Sequence, residues 1–257
     1  MDTASLSSVD RFVKGIDGDM SDPNKDRFLI YNELQNHLNK EGVSSEVMWR
    51  LTRAALDLSY MSEINGDEND KRMFILEALN YGKQSVNLDE DDPNCHKWYA
   101  VALDLYICDV CEDQTEIKQK TAQFLEHINI AIKAKPNDAF IHHIYGVWFY
   151  KWAQIGFWQK LVALLCNFYV PKASFESAIK EFSIAHQINP GWKANTYYLA
   201  KSLIAKKQFA DSIKVIKVSL KEKNQHNIEI NLECEKAFEH ELELLYDKYS
   251  AYDSNVP

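Results

Sequence analysis

Cys108 and Cys111 are two thiols at the C-x2-C spacing, which can bind zinc or exchange disulfides. A structural zinc site needs four ligands, and the sequence has no second C-x2-C and no H-x3-H pair. A thioredoxin-type site needs a strand–helix–strand setting, which the sequence also lacks. We therefore interpret the pair as two unpaired thiols near a helix end, with no metal bound. The odd total of 5 cysteines at irregular spacing indicates a reducing compartment.

His142 and His143 are adjacent residues of a predicted helix. Neighbours on a helix point about 100° apart, so the two imidazoles cannot easily share a metal ion. The repeat pattern described below predicts that His143 faces an inner groove and that His142 packs within a helix pair. The alternative is that both are ordinary packing or surface histidines.

Trp49, Arg50 and Arg53 lie on one predicted helix, and the two arginines are three residues apart. They can therefore act together on one face. Guanidinium groups bind carboxylate or phosphate through two parallel hydrogen bonds, which indicates a site for an acidic group of a partner. The alternative is that both arginines pair with the acidic loops Glu63–Asp70 and Asp89–Asp92.

Motifs of common catalytic sites are absent from the sequence. It contains no G-x4-G-K-[ST], G-x-G-x2-G, H-E-x2-H or G-x-S-x-G, and no motif spacing links a nucleophile to a base. Carboxylates are abundant, but their pattern predicts loops and outer helical faces rather than an apolar site that would raise a catalytic pKa. We expect no enzymatic activity and no cofactor.

The composition favours a helical protein with an acidic surface. The chain has 257 residues with only 8 Gly and 6 Pro, too few turn residues for an all-β fold. Its 38 acidic residues exceed its 29 basic ones, and the net charge of −9 argues against a nucleic-acid binder.

The first residues predict no signal peptide and no N-terminal anchor. Trp148–Val170 is apolar, but Lys160 at its centre favours a buried or interfacial segment over a membrane span.

A repeat appears when the chain is aligned on three prolines, Pro93, Pro136 and Pro190. Ala178-x3-Phe182 precedes the last proline, and a Gly or Ala lies ten residues after each of the last two. These offsets match the tetratricopeptide (TPR) repeat of paired antiparallel helices. Small residues are expected where the two helices of a pair approach closely, namely at Gly146, Ala178, Ala185 and Ala200.

The repeat is interrupted by insertions. The prolines are 43 and 54 residues apart, against a period of about 34 in the TPR repeat. Both excesses fall between the helices of a pair, at Cys108–Gln123 and Gly156–Ser174. The aromatic segment from Trp148 to Tyr169 then either packs in the core as an inserted helix or lines an apolar channel for a lipid tail or a partner helix.

We predict an all-α, TPR-like right-handed superhelix of about four antiparallel helix pairs with flanking N- and C-terminal helices. A polar, Asp-rich segment at 1–25 is expected to be disordered, and the helical domain spans 26–250, followed by a tail at 251–257. Asp26–Lys40 forms the first helix, and Ser44 caps the next. The predicted pairs are 44–88, 93–135, 137–189 and 191–221, and 228–249 is a closing helix with an acidic outer face.

Four strings in this chain resemble signatures of the regulator of microtubule dynamics family. They occur in the family's order at Val47–Ala54, Asn94–Ala100, His142–Trp148 and Trp158–Ala163. The resemblance implies a TPR-like domain that associates with microtubules and spindle poles and assists chromosome segregation. Some relatives carry an N-terminal membrane anchor, and one branch is implicated in phospholipid binding. Because no anchor is predicted here, the resemblance favours a cytoskeletal role.

Two candidate partner-binding surfaces follow from the repeat and the charges. The predicted groove is lined by Trp49, Arg50, Arg53, His143, Tyr150, Tyr197 and Lys201. The second surface is a basic face, since residues 191–223 carry eight lysines against two acidic residues. Such a face can meet the acidic C-terminal tails of tubulin, or it is simply solvated. The predicted microtubule contacts are Lys206, Lys207, Lys214 and Lys217.

The sequence thus predicts a non-enzymatic scaffold or adaptor in microtubule dynamics, mitotic spindle organisation and chromosome segregation. Its partner is tubulin or a microtubule-associated protein, and its location is the cytoplasm, the cytoskeleton, the spindle and the spindle poles. The alternative is a lipid-binding or lipid-transfer module that holds phospholipid in an apolar concave groove.

Overall fold

The computed structural model describes residues 8–22, 24–223 and 232–253, with the side chains of 232–234 excepted. Within these ranges the secondary structure is entirely helical. The twelve α-helices found there are α1 Ser8–Ser21, α2 Arg27–Glu41, α3 Ser45–Asn65, α4 Glu68–Leu88, α5 Pro93–Asp109, α6 Gln114–Ala134, α7 Ala139–Ala153, α8 Phe157–Leu165, α9 Phe175–Ile188, α10 Lys193–Ala205, α11 Phe209–Lys221 and α12 Leu232–Tyr249. A 3-10 turn follows at Ser250–Tyr252. The predicted all-α fold is confirmed.

Local sequence signals explain where most of these helices begin. A helix leaves its first backbone N–H groups without partners, and a short polar side chain can accept from them. Ser44 accepts from the Val47 N–H at 3.3 Å, and Asp138 accepts from the Phe140 N–H at 2.9 Å. At the other end of α3, Gly66 adopts the left-handed conformation with φ 74°, which glycine reaches without steric cost.

Contacts divide the chain into two compact units, residues 1–134 and 135–257. The sequence predicted one helical domain spanning 26–250. In the first unit α3 packs on α4 and α5 packs on α6, while α2 and α5 lie against α3. Gly82 of α4 is required by this packing, because a Cβ there would lie 2.9 Å from the Tyr99 ring of α5.

Helix α1 corrects the prediction that 1–25 is disordered, since residues 8–21 form a helix. Val13, Ile16 and Met20 are buried and recur at helical spacing. The prediction of disorder was based on the frequent Asp residues of this segment and overlooked its narrow apolar face. Residues 1–7 lie outside the described ranges.

In the second unit α7 packs on α9, α10 packs on both α9 and α11, and α12 lies against α10 and α11. The close approach predicted at Gly146 is present, because a Cβ there would lie 2.6 Å from the Phe182 ring. Ala178, Ala185 and Ala200 are all fully buried. The small residues therefore act as the repeat pattern predicted.

The two insertions take different forms. The residues of the first insertion mostly extend α6, which has 21 residues and begins at Gln114, only a short turn after α5 ends at Asp109. The second contains α8, which has no buried residue. Trp148 of α7 is buried in the core with 1% exposure, so the core-packing alternative holds for α7 and is wrong for α8. Within the described ranges, none of the helices is both long and apolar enough to cross a bilayer.

Candidate functional site

The Arg50 side chain of α3 forms an ion pair that links α3 to α1. Its Nε and Nη2 donate to the two carboxylate oxygens of Asp17 at 2.7 and 2.6 Å. Its Nη1 donates to Glu46 Oε2 at 2.6 Å and to the Glu46 carbonyl at 2.9 Å. Burial lowers the pKa of Arg50, but the hydrogen bonds to both carboxylates outweigh it and raise the pKa overall. Arg50 was predicted to bind a partner's acidic group, and in this chain its guanidinium is already bonded to the carboxylates of Asp17 and Glu46.

The acidic partner of Arg50 is also not the one that the alternative expected. Asp17 belongs to α1, not to the loops Glu63–Asp70 and Asp89–Asp92. Glu63, which lies in the last turn of α3, instead accepts a hydrogen bond from Lys71 at 3.2 Å.

Trp49 and Arg53 lie beside Arg50 and are buried with it. The Trp49 Nε1 donates to Glu46 Oε2 at 3.2 Å, and the Arg50 guanidinium lies 3.9 Å from the centroid of the Trp49 ring. The Arg53 guanidinium lies 5.3 Å from the Trp98 ring centroid, and Arg53 is 6% exposed. All three predicted groove residues are therefore buried in the first unit, Arg50 against Trp49 and Arg53 against Trp98.

His143 lies in an aromatic cluster of the second unit. Its ring centroid is 4.3 Å from that of Trp192 and 5.7 Å from that of Phe182. Its Nδ1 is 3.1 Å from Asn195 Oδ1. Burial lowers the pKa of His143 to about 4, so the ring is neutral at pH 7. His143, one of the predicted groove residues, is thus packed against aromatic rings of the second unit.

His142 packs within the α7–α9 pair, as the repeat pattern predicted. Its Nδ1 lies 2.7 Å from Glu181 Oε2, and its Nε2 lies 3.0 Å from the Pro136 carbonyl oxygen. Burial lowers the pKa of His142, but the hydrogen bonds to Glu181 and to the Pro136 carbonyl, with the nearby charges of Glu181 and Asp138, together outweigh it and raise the pKa overall. The pKa of His142 is thus raised and that of His143 lowered, because His142 contacts a carboxylate and His143 contacts an amide and aromatic rings.

Tyr150, Tyr197 and Lys201 come together next to this cluster. The Lys201 Nζ donates to the Tyr197 hydroxyl at 3.1 Å and lies 6.0 Å from the Tyr150 ring centroid. Burial lowers the pKa of Lys201, but the interactions with Tyr197 and Tyr150 together outweigh it and keep the pKa above its ordinary value. The Phe238 ring of α12 lies 5.2 Å from Tyr197. A segment of the chain itself therefore covers this part of the predicted groove.

Helix α12 is held in place by a buried carboxylate that the sequence analysis did not identify. The Glu235 carboxylate accepts from the N–H groups of Lys193 at 3.0 Å and Ala194 at 3.2 Å, which are the first two residues of α10. The Trp192 N-cap provides no side-chain cap of its own. Glu235 thus caps α10 from about forty residues away in sequence. No local pattern signals this contact.

Lys193 is likewise internal, although the sequence analysis counted it among the basic residues of 191–223. Its Nζ donates to the Glu222 carbonyl at 2.8 Å and to the Ser219 carbonyl, at the end of α11. A lysine at this position satisfies carbonyls that a helix end leaves without partners.

Two of the four predicted microtubule contacts are engaged in ion pairs. The Lys206 Nζ contacts Glu176 Oε1, and this bond lowers the pKa of Glu176. The Lys217 Nζ donates to Asp253 Oδ2 at 2.8 Å, and this bond raises the pKa of Lys217. The basic face is therefore partly neutralised by the chain's own carboxylates.

Lys207 and Lys214 are exposed, and so is Lys221, which lies two helical turns beyond Lys214 on α11. Within the described ranges no carboxylate is within ion-pair distance of these three lysines. We call Lys207, Lys214 and Lys221 the open lysines. Lys214 and Lys221 line one surface depression together with Lys217, Val218 and two carboxylates, Asp211 and Asp253. The sequence analysis identified the region but not which of its charges are free.

The two thiols of the C-x2-C pair lie near carboxylate and carbonyl oxygens of their own neighbourhood. The Cys108 Sγ lies 3.8 Å from Asp104 Oδ1, and the Cys111 Sγ lies 3.7 Å from the Asp113 carbonyl. In the part of the chain that the structure describes, no three His, Cys, Asp or Glu side chains gather as potential metal ligands.

Residues 6–250 match the family model of regulator of microtubule dynamics proteins 1-3. Regulator of microtubule dynamics protein 1 of Mus musculus is 32% identical over 169 residues, which are 64% of this chain and 53% of that protein. The Homo sapiens protein of the same name is 32% identical over 160 residues, 61% of this chain and 49% of that protein. Regulator of microtubule dynamics protein 2 of Homo sapiens is 25% identical over 191 residues, 73% of this chain and 45% of that protein. The chain thus spans about half the length of such relatives.

A solved structure supports the fold. The crystal structure of a thermophilic TPR protein from Thermus thermophilus superposes with a TM-score of 0.52. The match covers 88% of this chain and 90% of that chain at 14% identity. At this identity the similarity establishes the fold alone, and it confirms the TPR-like prediction.

Proposed function

Because the chain belongs to the regulator of microtubule dynamics protein family, we propose that it is a non-enzymatic adaptor that binds microtubules. Relatives named regulators of microtubule dynamics support a microtubule-related role. In this proposal the protein acts in spindle organisation and chromosome segregation, and it is located in the cytoplasm, on the cytoskeleton and at spindle poles.

The state of the buried titratable residues supports a non-enzymatic role. Arg50, His142 and His143 each bond to a residue of another helix. A catalytic acid or base must instead reach a substrate with its reactive atom. In these three residues the hydrogen bonds hold helices together.

The open lysines are the observation that carries the proposed contact. They are exposed cations on a chain whose net charge is −9. Tubulin tails are acidic, and complementary charge speeds encounter and selects the partner. Lys206 and Lys217 already have carboxylate partners, so we assign the larger contribution to the open lysines.

Co-sedimentation with two kinds of microtubule tests this proposal. The protein is mixed with intact microtubules and with microtubules whose acidic tails have been removed by limited proteolysis. We expect binding to intact microtubules that weakens as salt is added, because exposed charges are screened within about 10 Å at 0.1 M salt. We also expect much weaker binding to the tailless form. Equal binding to both forms, insensitive to salt, would refute the charge-based contact.

The alternative function, a lipid-binding or lipid-transfer module with an apolar concave groove, is the weaker proposal. Phe238 of α12 lies against Tyr197, one of the predicted groove residues. Tyr150, another of them, packs edge-on against Phe175 and Tyr198. Mass spectrometry of the purified protein under native conditions checks this alternative, and a stoichiometric phospholipid would favour it over the adaptor role.

A further inference from the structure

We propose that α8 docks on an anionic membrane surface, with its apolar side chains entering the interface between headgroups and acyl chains. Its bulky side chains project into solvent instead of into the core. Phe157 and Trp158 are each 74% exposed, Leu164 is 73% exposed and Leu165 is 78% exposed. Exposed large apolar residues grouped in this way mark an interaction surface.

The apolar side chains of α8 share one side of the helix, which we call the α8 apolar face. At about 100° per residue they span about 160° of the circumference. Gln159, Lys160 and Ala163 occupy the remaining part. The α8 apolar face consists of Phe157, Trp158, Leu161, Val162, Leu164 and Leu165.

Both ends of α8 are closed by its own residues. At the start, the Gly156 N–H donates to Gln159 Oε1 at 2.7 Å. At the end, Asn167 adopts φ 58°, and the Phe168 N–H donates to the Ala163 carbonyl at 2.7 Å. This is the Schellman arrangement that terminates helices. The helix is therefore well capped, although none of its residues is buried.

Capping alone does not stabilise a helix of this length. Isolated helices shorter than about 12–15 residues are marginal in water, and most helical stability in proteins comes from packing an apolar face. Helix α8 has 9 residues. Its apolar face is therefore expected to be covered by something outside the described chain.

Local charge identifies an anionic surface as the occupant. No Asp or Glu occurs between residues 139 and 175, although the chain as a whole has a net charge of −9. Lys160 and Lys172 are exposed within this segment. Juxtamembrane lysines are attracted to anionic lipids, and helices that lie in the membrane interface combine Trp, Phe and Leu with lysine.

The shape of the element favours a bilayer over a protein groove. Helix α8 projects with nearly every residue exposed, and Phe168 just beyond its end is 55% exposed. Exposed apolar side chains can insert into the fluid interface of a bilayer, which needs no preformed groove of matching shape.

Vesicle flotation tests this proposal. The full chain is mixed with vesicles of phosphatidylcholine, with and without phosphatidylserine. We expect binding that requires phosphatidylserine. Trp158→Ser combined with Leu165→Ser should weaken it by about tenfold or more, since each loses an apolar side chain from the interface. Lys160→Glu combined with Lys172→Glu should weaken it by about tenfold.

Two exposed apolar residues outside α8 supply the matched control. Leu29 of α2 and Ile64 of α3 are 59% and 61% exposed, so Leu29→Ser combined with Ile64→Ser removes comparable surface. This variant should float like the wild type. Because no substituted residue is buried, circular dichroism should be unchanged in every variant.

Three results would overturn the proposal. The first is that the wild type does not float with either vesicle. The second is that the α8 variants and the control variant float equally well. The third is that analytical ultracentrifugation shows the Trp158→Ser/Leu165→Ser variant to have lost self-association while its vesicle binding is unchanged. The last result would identify a second copy as the occupant. Microtubule binding should not change in the α8 variants, so this test is separate from that of the proposed function.

Discussion

Arg50, His142 and Lys193 are buried polar residues, and each joins two helices. Arg50 bonds to Asp17 of α1, His142 to Glu181 of α9, and Lys193 to the last carbonyls of α11. A buried charge or imidazole without partners would cost stability, so these contacts are required by burial itself. The residue types that suggest chemistry in the sequence therefore perform structural tasks in the first and second units.

The Arg50–Asp17 bond predicts a specific role for α1. Asp17→Ala should lower the free energy of unfolding by about 1–2 kcal/mol, because it removes two charge-assisted hydrogen bonds to a buried guanidinium. It should also increase hydrogen exchange in residues 8–21. Asp19→Ala is the control on the same helix, since Asp19 pairs with the half-exposed Lys25. The control should change stability by less than about 0.5 kcal/mol. Equal effects of the two substitutions would show that Arg50 does not anchor α1.

The buried His143 predicts a pH dependence of stability. Its pKa is lowered from 6.5 to about 4 by burial, so the unfolded chain takes up the proton first as pH falls. The free energy of unfolding should therefore decrease from pH 6.5 towards pH 4, by about 3 kcal/mol for this group over the whole range. His143→Gln should flatten that slope. Urea unfolding between pH 5 and 6.5 measures it, and an unchanged slope in the variant would contradict the assignment.

At the scale of the element, small residues set the spacing of the helices. A Cβ on Gly146 would lie 2.6 Å from the Phe182 ring, whereas one on Gly18 would meet nothing within 4 Å. Gly146→Ala should therefore destabilise the protein by about 1–3 kcal/mol through overpacking. Gly18→Ala should stabilise it by about 0.5–1 kcal/mol, because alanine is the better helix former. Thermal unfolding of both variants checks this, and stabilisation by both would refute the close approach of α7 and α9.

The sequence predicted elements well where short-range signals govern them. The cap at Ser44, the close approach at Gly146 and the start of α5 at Pro93 all follow from neighbouring residues. It failed for α1, whose buried residues are few and lie among acids. For α8 it left burial and an interfacial position open, and the structure shows this helix without a buried residue. In both cases the deciding factor is which other helix, if any, covers the apolar face. Composition does not contain that information.

At the scale of the whole molecule, the charges of the candidate surface depend on distant segments. Lys217 is neutralised by Asp253, and the first turn of α10 is capped by Glu235. Lys206 is paired with Glu176 of α9. The sequence therefore predicted the basic region but could not separate paired from open lysines, because the carboxylate partners of Lys206 and Lys217 lie about 30 and 36 residues away.

Because the chain is acidic overall, the positions of its exposed lysines indicate which surface could bind an acidic partner. With a net charge of −9, it is repelled as a whole by an acidic polymer, so binding must be driven by a local patch. The open lysines are exposed cations of the second unit, and Lys214 and Lys221 line one surface depression there. The exposed lysines Lys83 of α4 and Lys118 and Lys133 of α6 lie in the first unit and are not assigned to the contact.

The most direct measurement of the central claim compares two triple charge reversals in microtubule co-sedimentation. Lys207→Glu/Lys214→Glu/Lys221→Glu changes the open lysines, and Lys83→Glu/Lys118→Glu/Lys133→Glu makes the same change in net charge in the first unit. The first variant should raise the Kd for intact microtubules by about tenfold or more, and the second by less than about threefold. Equal Kd values for the two variants would contradict binding through the open lysines.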